Sequence, residues 1–179
     1  AIMDEFKQAS AEGVPLNVIP QHVFGSLYVP MDGLLCYSLA NPSNKDDVND
    51  RIMYRAGRRV CVYDPVSGKQ EYFKGRATNV TQINHFSIDF STKLICLCES
   101  VSSDRQKAGV AQASIFSVNK LERLKTLSTP AQGEYICSSF TGENKFLATL
   151  LDEGESKSIH LWQWEKDRIH KTVVVPMKA

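Results

Sequence analysis

The chain of 179 residues has no surplus of either charge: 21 basic residues stand against 20 acidic ones, a net of +1. A general nucleic-acid or anionic-membrane binder carries a basic excess, so neither partner is expected: no nucleic acid, no membrane. No apolar run approaches the ~18 residues of a membrane span. The sequence has no phosphate-cradling G-x-x-x-x-G-K-[ST], no G-x-S-x-G elbow and no H-E-x-x-H. It has no helical segment of crossover length between its strand-like runs, which disfavours α/β architecture. Its cysteines, Cys36, Cys61, Cys96, Cys98 and Cys137, are odd in number and sit in apolar runs. That is no disulfide framework, and it points to a reducing compartment.

What the sequence has is a three-fold echo. Arg59–Asp64 (RVCVYD), Ser114–Asn119 (SIFSVN) and His160–Glu165 (HLWQWE) each run as a short apolar strand into Asp, Asn or Glu. Upstream of the last two lie a second matched pair, Asp89–Ile95 (DFSTKLI) and Ser139–Leu147 (SFTGENKFL). Phe90 and Phe140 are 50 residues apart, and Ser114 and His160 are 46 apart. A period of that size in an alternating, turn-rich chain is the signature of stacked four-stranded blades.

The fold expected is all-β, made of WD-repeat-like β-propeller blades. Residues 1–16 form a leader whose Ala1–Glu12 stretch has the spacing of a short amphipathic helix, ended by Gly13 and Pro15. Residues 17–179 form a partial β-propeller with blades over 33–75, 76–127 and 128–175. Ahead of the first blade Asn17–Phe24 is extended; in the blade, Gly33–Leu39 is a strand, Asn41–Asp50 is a polar loop, and Ile52–Arg55 pairs with Arg59–Tyr63. Asp64–Lys69 is a turn, because Pro presets one dihedral and Gly accepts positive φ. In the second, Asn84–Phe90 and Lys93–Cys98 are strands, Glu99–Gly109 is a long polar loop, and Ala113–Val118 and Glu122–Leu127 are strands. In the third, the strands are Tyr135–Phe140, Lys145–Leu151, Ile159–Trp164 and Arg168–Val175. Propellers close with about four to eight blades. Three leave open edges, so the chain reads as part of a larger propeller.

The chemistry-bearing residue types do not assemble into a site. Cys96 and Cys98 project to one face of a strand, about 7 Å apart. A structural zinc needs four convergent ligands, and no second pair accompanies them, so they read as buried thiols. His160 and His170 fall in neighbouring strands and are placed to face one another. The alternating Trp162 and Trp164 read as filling between blades. Asn79-Val80-Thr81 matches a glycosylation sequon and, with no secretory signal, reads as a polar turn. We nominate no catalytic, cofactor-binding or metal residue and no cofactor. The partner-contact candidates are loop residues Lys45, Asp47, Arg58, Arg105 and Lys107. An enzyme or small-ligand binder would instead gather Thr78–Gln82 and Ser128–Gly133 around a central funnel.

The strand endings Tyr63-Asp64, Val118-Asn119 and Trp164-Glu165 resemble degenerate tryptophan–aspartate positions of the WD-repeat family, with Gly75-Arg76 as a relic of its glycine–histidine pair. A narrower likeness rests on order. His22-Val23-Phe24-Gly25, then Arg55–Tyr63 (RAGRRVCVY), then Ile159–Lys166 (IHLWQWEK) is similar to the N-terminal propeller of the axonemal cilia- and flagella-associated WD-repeat proteins. The likeness spans about residues 20–175. It implies a non-enzymatic scaffold in the cytoskeleton of the motile cilium or flagellum. The implied partners are axonemal: inner dynein arm or regulatory complex subunits and the doublet microtubule, within a large hetero-complex. The alternative is a non-ciliary WD-repeat scaffold, microtubule-associated or in trafficking.

Overall fold

The computed structural model describes residues 34–41, 44–74, 79–103 and 106–176. The expected leader, the Asn17–Phe24 strand and the His22–Gly25 run lie outside them. The described residues form three antiparallel four-stranded sheets, each a simple meander. Sheet one contains β1 (Leu34–Asn41), β2 (Asn44–Ala56), β3 (Arg59–Tyr63) and β4 (Gln70–Tyr72). Sheet two contains β5 (Val80–Ile88), β6 (Leu94–Ser103), β7 (Gln106–Ser117) and β8 (Glu122–Gln132). Sheet three contains β9 (Glu134–Phe140), β10 (Leu147–Asp152), β11 (Lys157–Gln163) and β12 (Arg168–Val175).

Alternation along the strands places sheet two between the others. In β6, Ile95 and Leu97 join Met53, Val60 and Val62 of sheet one in one apolar cluster. The intervening Cys96 and Cys98 join Tyr135, Leu147 and Trp162 of sheet three in a second cluster. Successive side chains of a strand leave opposite faces, so the first half of β6, residues 94–98, is an unbroken apolar run because both its faces are covered. The echo keeps its register here. Val60, Ile115 and Leu161 occupy one facing, and Cys61, Phe116 and Trp162 the other.

Several expectations are corrected. Within the expected Asn41–Asp50 loop, Asn41 ends β1 and 44–50 belong to β2, with Ala40 paired to Val48 and Leu39 to Asn49. Within the expected Glu99–Gly109 loop, 99–103 belong to β6 and 106–109 to β7, with Glu99 opposite Gln112 and Val101 opposite Val110. Polar composition suggested loops, but cross-strand pairing satisfies the backbone and lets polar side chains stand on the sheet. β8 runs past Leu127 to Gln132, so the expected boundary at 127/128 falls inside a strand. β5 ends at Ile88, and Phe90 lies in the following turn with 94% of its surface exposed. Trp164 does not close a strand but opens a 3-10 turn over Trp164–Lys166, which ends at Asp167 with φ of 51°.

Candidate protein-interaction surface

Each sheet has two ends. The turns after the first and third strands gather at one end, and the turn after the second strand lies at the other. The inter-sheet bonds fix which ends coincide. At the first end, Asp89 is buried in the β5–β6 turn and accepts from the backbone N–H of Lys93 (2.8 Å) and Leu94 (2.6 Å) and from the Ser91 hydroxyl. The Asn144 side-chain amide, from the β9–β10 turn of sheet three, donates to the same carboxylate. The Trp164 indole N–H then donates to the Asn144 carbonyl at 2.7 Å. Lys125 Nζ of β8 closes the same end, reaching the Glu165 carbonyl at 2.7 Å and the Asp167 carboxylate at 2.9 Å. At the opposite end of sheets one and two, Arg55 Nη1 donates to the Ile83 carbonyl at 2.7 Å.

Asp64 caps the turn after the third strand of sheet one in a similar way. Its carboxylate accepts from the Val66 N–H at 2.9 Å and the Ser67 hydroxyl at 2.6 Å, and it pairs with Arg51 at 2.6 Å. The Ser67 bond holds the Asp64 carboxyl below its ordinary range. Both turns lift an apolar side chain into solvent: Val66 is 82% exposed and Phe90 94%.

Against this frame the five partner candidates separate. Lys45 and Asp47 lie in the first half of β2, on a strand rather than in the expected loop. Arg58 is exposed in the two-residue β2–β3 turn, at the end where Arg55 meets Ile83. Lys107 is the second residue of β7, also a strand position and not a loop. Arg105 lies outside the described residues. The backbone therefore sets Arg58 and Lys107 near one end of their sheets and Lys45 and Asp47 towards the other. The neighbouring Arg59 stacks its guanidinium over the Tyr72 ring at 5.8 Å.

Buried and half-buried polar groups join sheet two to sheet three and brace each of these sheets internally. The Asn84 amide donates to the Tyr135 carbonyl at 3.1 Å and to the Ser100 hydroxyl at 3.0 Å. The Ser138 N–H donates to His85 Nδ1 at 3.2 Å, and the Ser87 and Ser138 hydroxyls meet at 2.8 Å. Glu99, fully buried on β6, accepts from the Ser114 hydroxyl at 2.6 Å and the Gln112 amide at 2.9 Å. Trp162 Nε1 donates to Thr149 Oγ1 at 3.0 Å, and Tyr135 and His160 share a bond of 3.1 Å. Burial pushes the Tyr135 phenol up to about 12 and lowers His160 below its ordinary value. His160 and His170 do not face one another: His160 is paired with Thr172, and the exposed His170 packs on Phe146 at 5.1 Å.

Cys96 and Cys98 are buried free thiols. The Cys96 contact and burial drive the Cys98 pKa upward, so its thiol stays protonated and inert. Among the described residues no three His, Cys, Asp or Glu converge as a metal group, and no helix is long and apolar enough to cross a membrane. Asn79 and Thr81 of the sequon donate to the carbonyls of Ser102 and Ser100, both at 3.1 Å. The funnel stretches are not loops within the described residues: 80–82 belong to β5 and 128–132 to β8. An open cavity of about 390 Å³ lies instead beside β4 and the β7–β8 turn, lined by Gln70, Tyr72, Lys74 and Lys120 among others.

Sequence reasoning missed the Asp89–Asn144 link and the exposed Phe90. A signal was present in the matched Asp-x-x-Ser and Asp-x-Ser of 64–67 and 89–91, which are side-chain-capped turn patterns.

No protein-family model matches the chain, and no curated protein matches it. Solved structures do. A chain of the mitotic checkpoint complex matches with a TM-score of 0.53 at 13% identity, over 84% of this chain and 46% of its own. Kuenenia stuttgartiensis hydrazine synthase matches with a TM-score of 0.52 at 13% identity, over 73% of this chain and 35% of its own. This chain therefore spans less than half the length of either. The likeness is one of fold: three stacked antiparallel meanders make this an all-β, WD-repeat-like β-propeller architecture.

Proposed function

We propose that this chain is a non-enzymatic interaction scaffold of the ciliary axoneme. It docks inner dynein arm or regulatory complex subunits on the doublet microtubule. The observation that carries the reading is the order of the three stretches 22–25, 55–63 and 159–166, which resembles the axonemal WD-repeat proteins and is nearest to cilia- and flagella-associated protein 57. The fold agrees with a holding role. Its buried polar groups are paired with one another within and between the sheets, and its turns present solvated side chains such as Arg58 and Phe90. A propeller fold hosts many functions, so the sequence order, and not the architecture, selects this one.

The test is affinity capture of the tagged full protein from ciliary extract, beside an Arg58→Glu variant. Inner dynein arm or regulatory subunits should co-purify, and the variant should recover less of them with unchanged melting temperature. Recovery of no axonemal protein by the intact scaffold overturns the proposal.

A further inference from the structure

β4 is the edge strand of sheet one and only three residues long. The open cavity of about 390 Å³ touches Gln70, Glu71 and Tyr72 in a row. Successive side chains of a strand leave opposite faces, so a cavity that meets all three runs along the edge of β4 and not over a face. Lys120 and Leu121 of the β7–β8 turn supply its other wall, and Lys74 stands further along the same edge.

Backbone geometry fixes what this edge offers. In an antiparallel pair, bonded and non-bonded residue pairs alternate. The Asp64 N–H donates to the Lys69 carbonyl at 2.9 Å. Tyr63 stands opposite Gln70, Val62 opposite Glu71 and Cys61 opposite Tyr72. The bonded pair is therefore Val62 with Glu71, and Gln70 and Tyr72 turn their N–H and C=O groups outward along the cavity. Lys74 is the next member of that outward series. Its N–H donates to the Leu121 carbonyl at 2.7 Å, and it forms a parallel bridge with Glu122 of β8. The edge already pairs with another strand at 74, while at 70 and 72 no backbone bond is made to its outer side among the described residues. The side chains beside these open groups are held: the Gln70 amide donates to the Tyr54 hydroxyl at 2.8 Å, and Arg59 lies over the Tyr72 ring.

The charge of the cleft has one sign to spare. Its one lining carboxylate, Glu71, is paired with Lys69 at 3.0 Å. Lys74 and Lys120 are exposed, and among the described residues neither is paired with a carboxylate. We propose that this cleft takes an extended acidic segment of a partner protein, which pairs its backbone with Gln70 and Tyr72 as an added strand and sets its carboxylates against Lys74 and Lys120. Lysines beside an edge repel a strand of like charge, and a second copy joined edge to edge by two-fold symmetry would bring the same lysines together. A small anion would engage the lysines and leave the backbone groups unmet. The inference stands apart from the ciliary reading, because it concerns the chemistry of the bound segment and not the source of the partner.

The test is fluorescence anisotropy of the full protein with three labelled probes: acetyl-Glu-Val-Glu-Val-Glu-Val-amide, the same peptide N-methylated at every residue, and its counterpart with Lys in place of Glu. N-methylation keeps the charges and removes the backbone donors that strand pairing needs. The unmodified acidic peptide should bind at least about tenfold more tightly than either of the others. Joint substitution Lys74→Glu and Lys120→Glu should weaken it by at least about tenfold with an unchanged melting temperature. Equal affinity for the N-methylated peptide overturns the proposal, since a cleft that reads charge alone adds no strand. Equal affinity for the lysine peptide, an unaltered affinity in the double variant, or no binding of the acidic peptide up to about 1 mM overturns it too. Should the double variant fold poorly, Lys74→Gln with Lys120→Gln removes the charge alone and is read in the same way.

Discussion

The Asp89 carboxylate and the Asn144 amide, 55 residues apart in sequence, bond across the boundary between sheets two and three. The same carboxylate caps its own turn through the N–H groups of Lys93 and Leu94. One side chain thus shapes a turn and fastens it to the next sheet.

Asp89→Ala removes the one buried acceptor shared by these half-buried donors. Hydrogen bonds to a charged group contribute about 1.5–3 kcal/mol where water is kept out and less where it is not, so the variant should lose about 2–3 kcal/mol in urea unfolding. Asn144→Ala, which spares the turn's backbone bonds, should lose less than half as much. Equal losses would show that the inter-sheet bond, and not the turn, dominates.

Thr149→Val keeps the shape beneath Trp162 and removes the hydroxyl that accepts its indole N–H. We expect a loss of about 1–2 kcal/mol, measured by thermal or urea unfolding. Trp162→Phe should cost more, because it also removes ring volume from a cluster that packs as a solid.

His160 links stability to pH. Burial depresses its folded pKa below the ordinary 6.5. The unfolded chain therefore takes up the proton first. The stability associated with neutral His160 is complete above pH 6.5 and declines as pH falls through 6.5 towards the folded value. The urea midpoint should fall between about pH 7.5 and about pH 5.5. His160→Gln should flatten that part of the profile. The depressed Asp64 and Asp152 carboxyls act lower, their contribution fading only as pH falls below the ordinary 3.8.

Gly133→Ala should be among the most damaging single substitutions. Gly133 sits at φ of 156°, and a Cβ there would meet the Asp152 carbonyl at 2.6 Å. Backbone is the obstacle, so no side chain can rotate away, and the strain is about 1–3 kcal/mol. Gly57→Ala is the control: its φ is 60° but nothing stands within 4 Å. It should carry the dihedral penalty alone, read as a smaller drop in melting temperature.

The architecture was legible because a blade period forces alternation. Val60, Ile115 and Leu161 announced their shared facing through the echo, and the paired Cys96 and Cys98 announced a covered face. Strand lengths were not legible. Residues 44–50 and 99–103 are polar, yet they extend β2 and β6, since pairing with a long partner strand depends on backbone and not on side-chain polarity. The Asp89–Asn144 bond was hidden for another reason. It joins turns from two blades, and turn chemistry read one blade at a time does not say which turns meet. The partner candidates were chosen as loop charges, so Lys45 and Lys107 failed as loops when their loops proved to be strand.

Gly133 is the only residue between β8 and β9. A joint that short has no slack. Tension applied along the chain at this point cannot be taken up by paying out a linker and must be borne by the strand ladders themselves, so the second and third sheets transmit load as one stiff body.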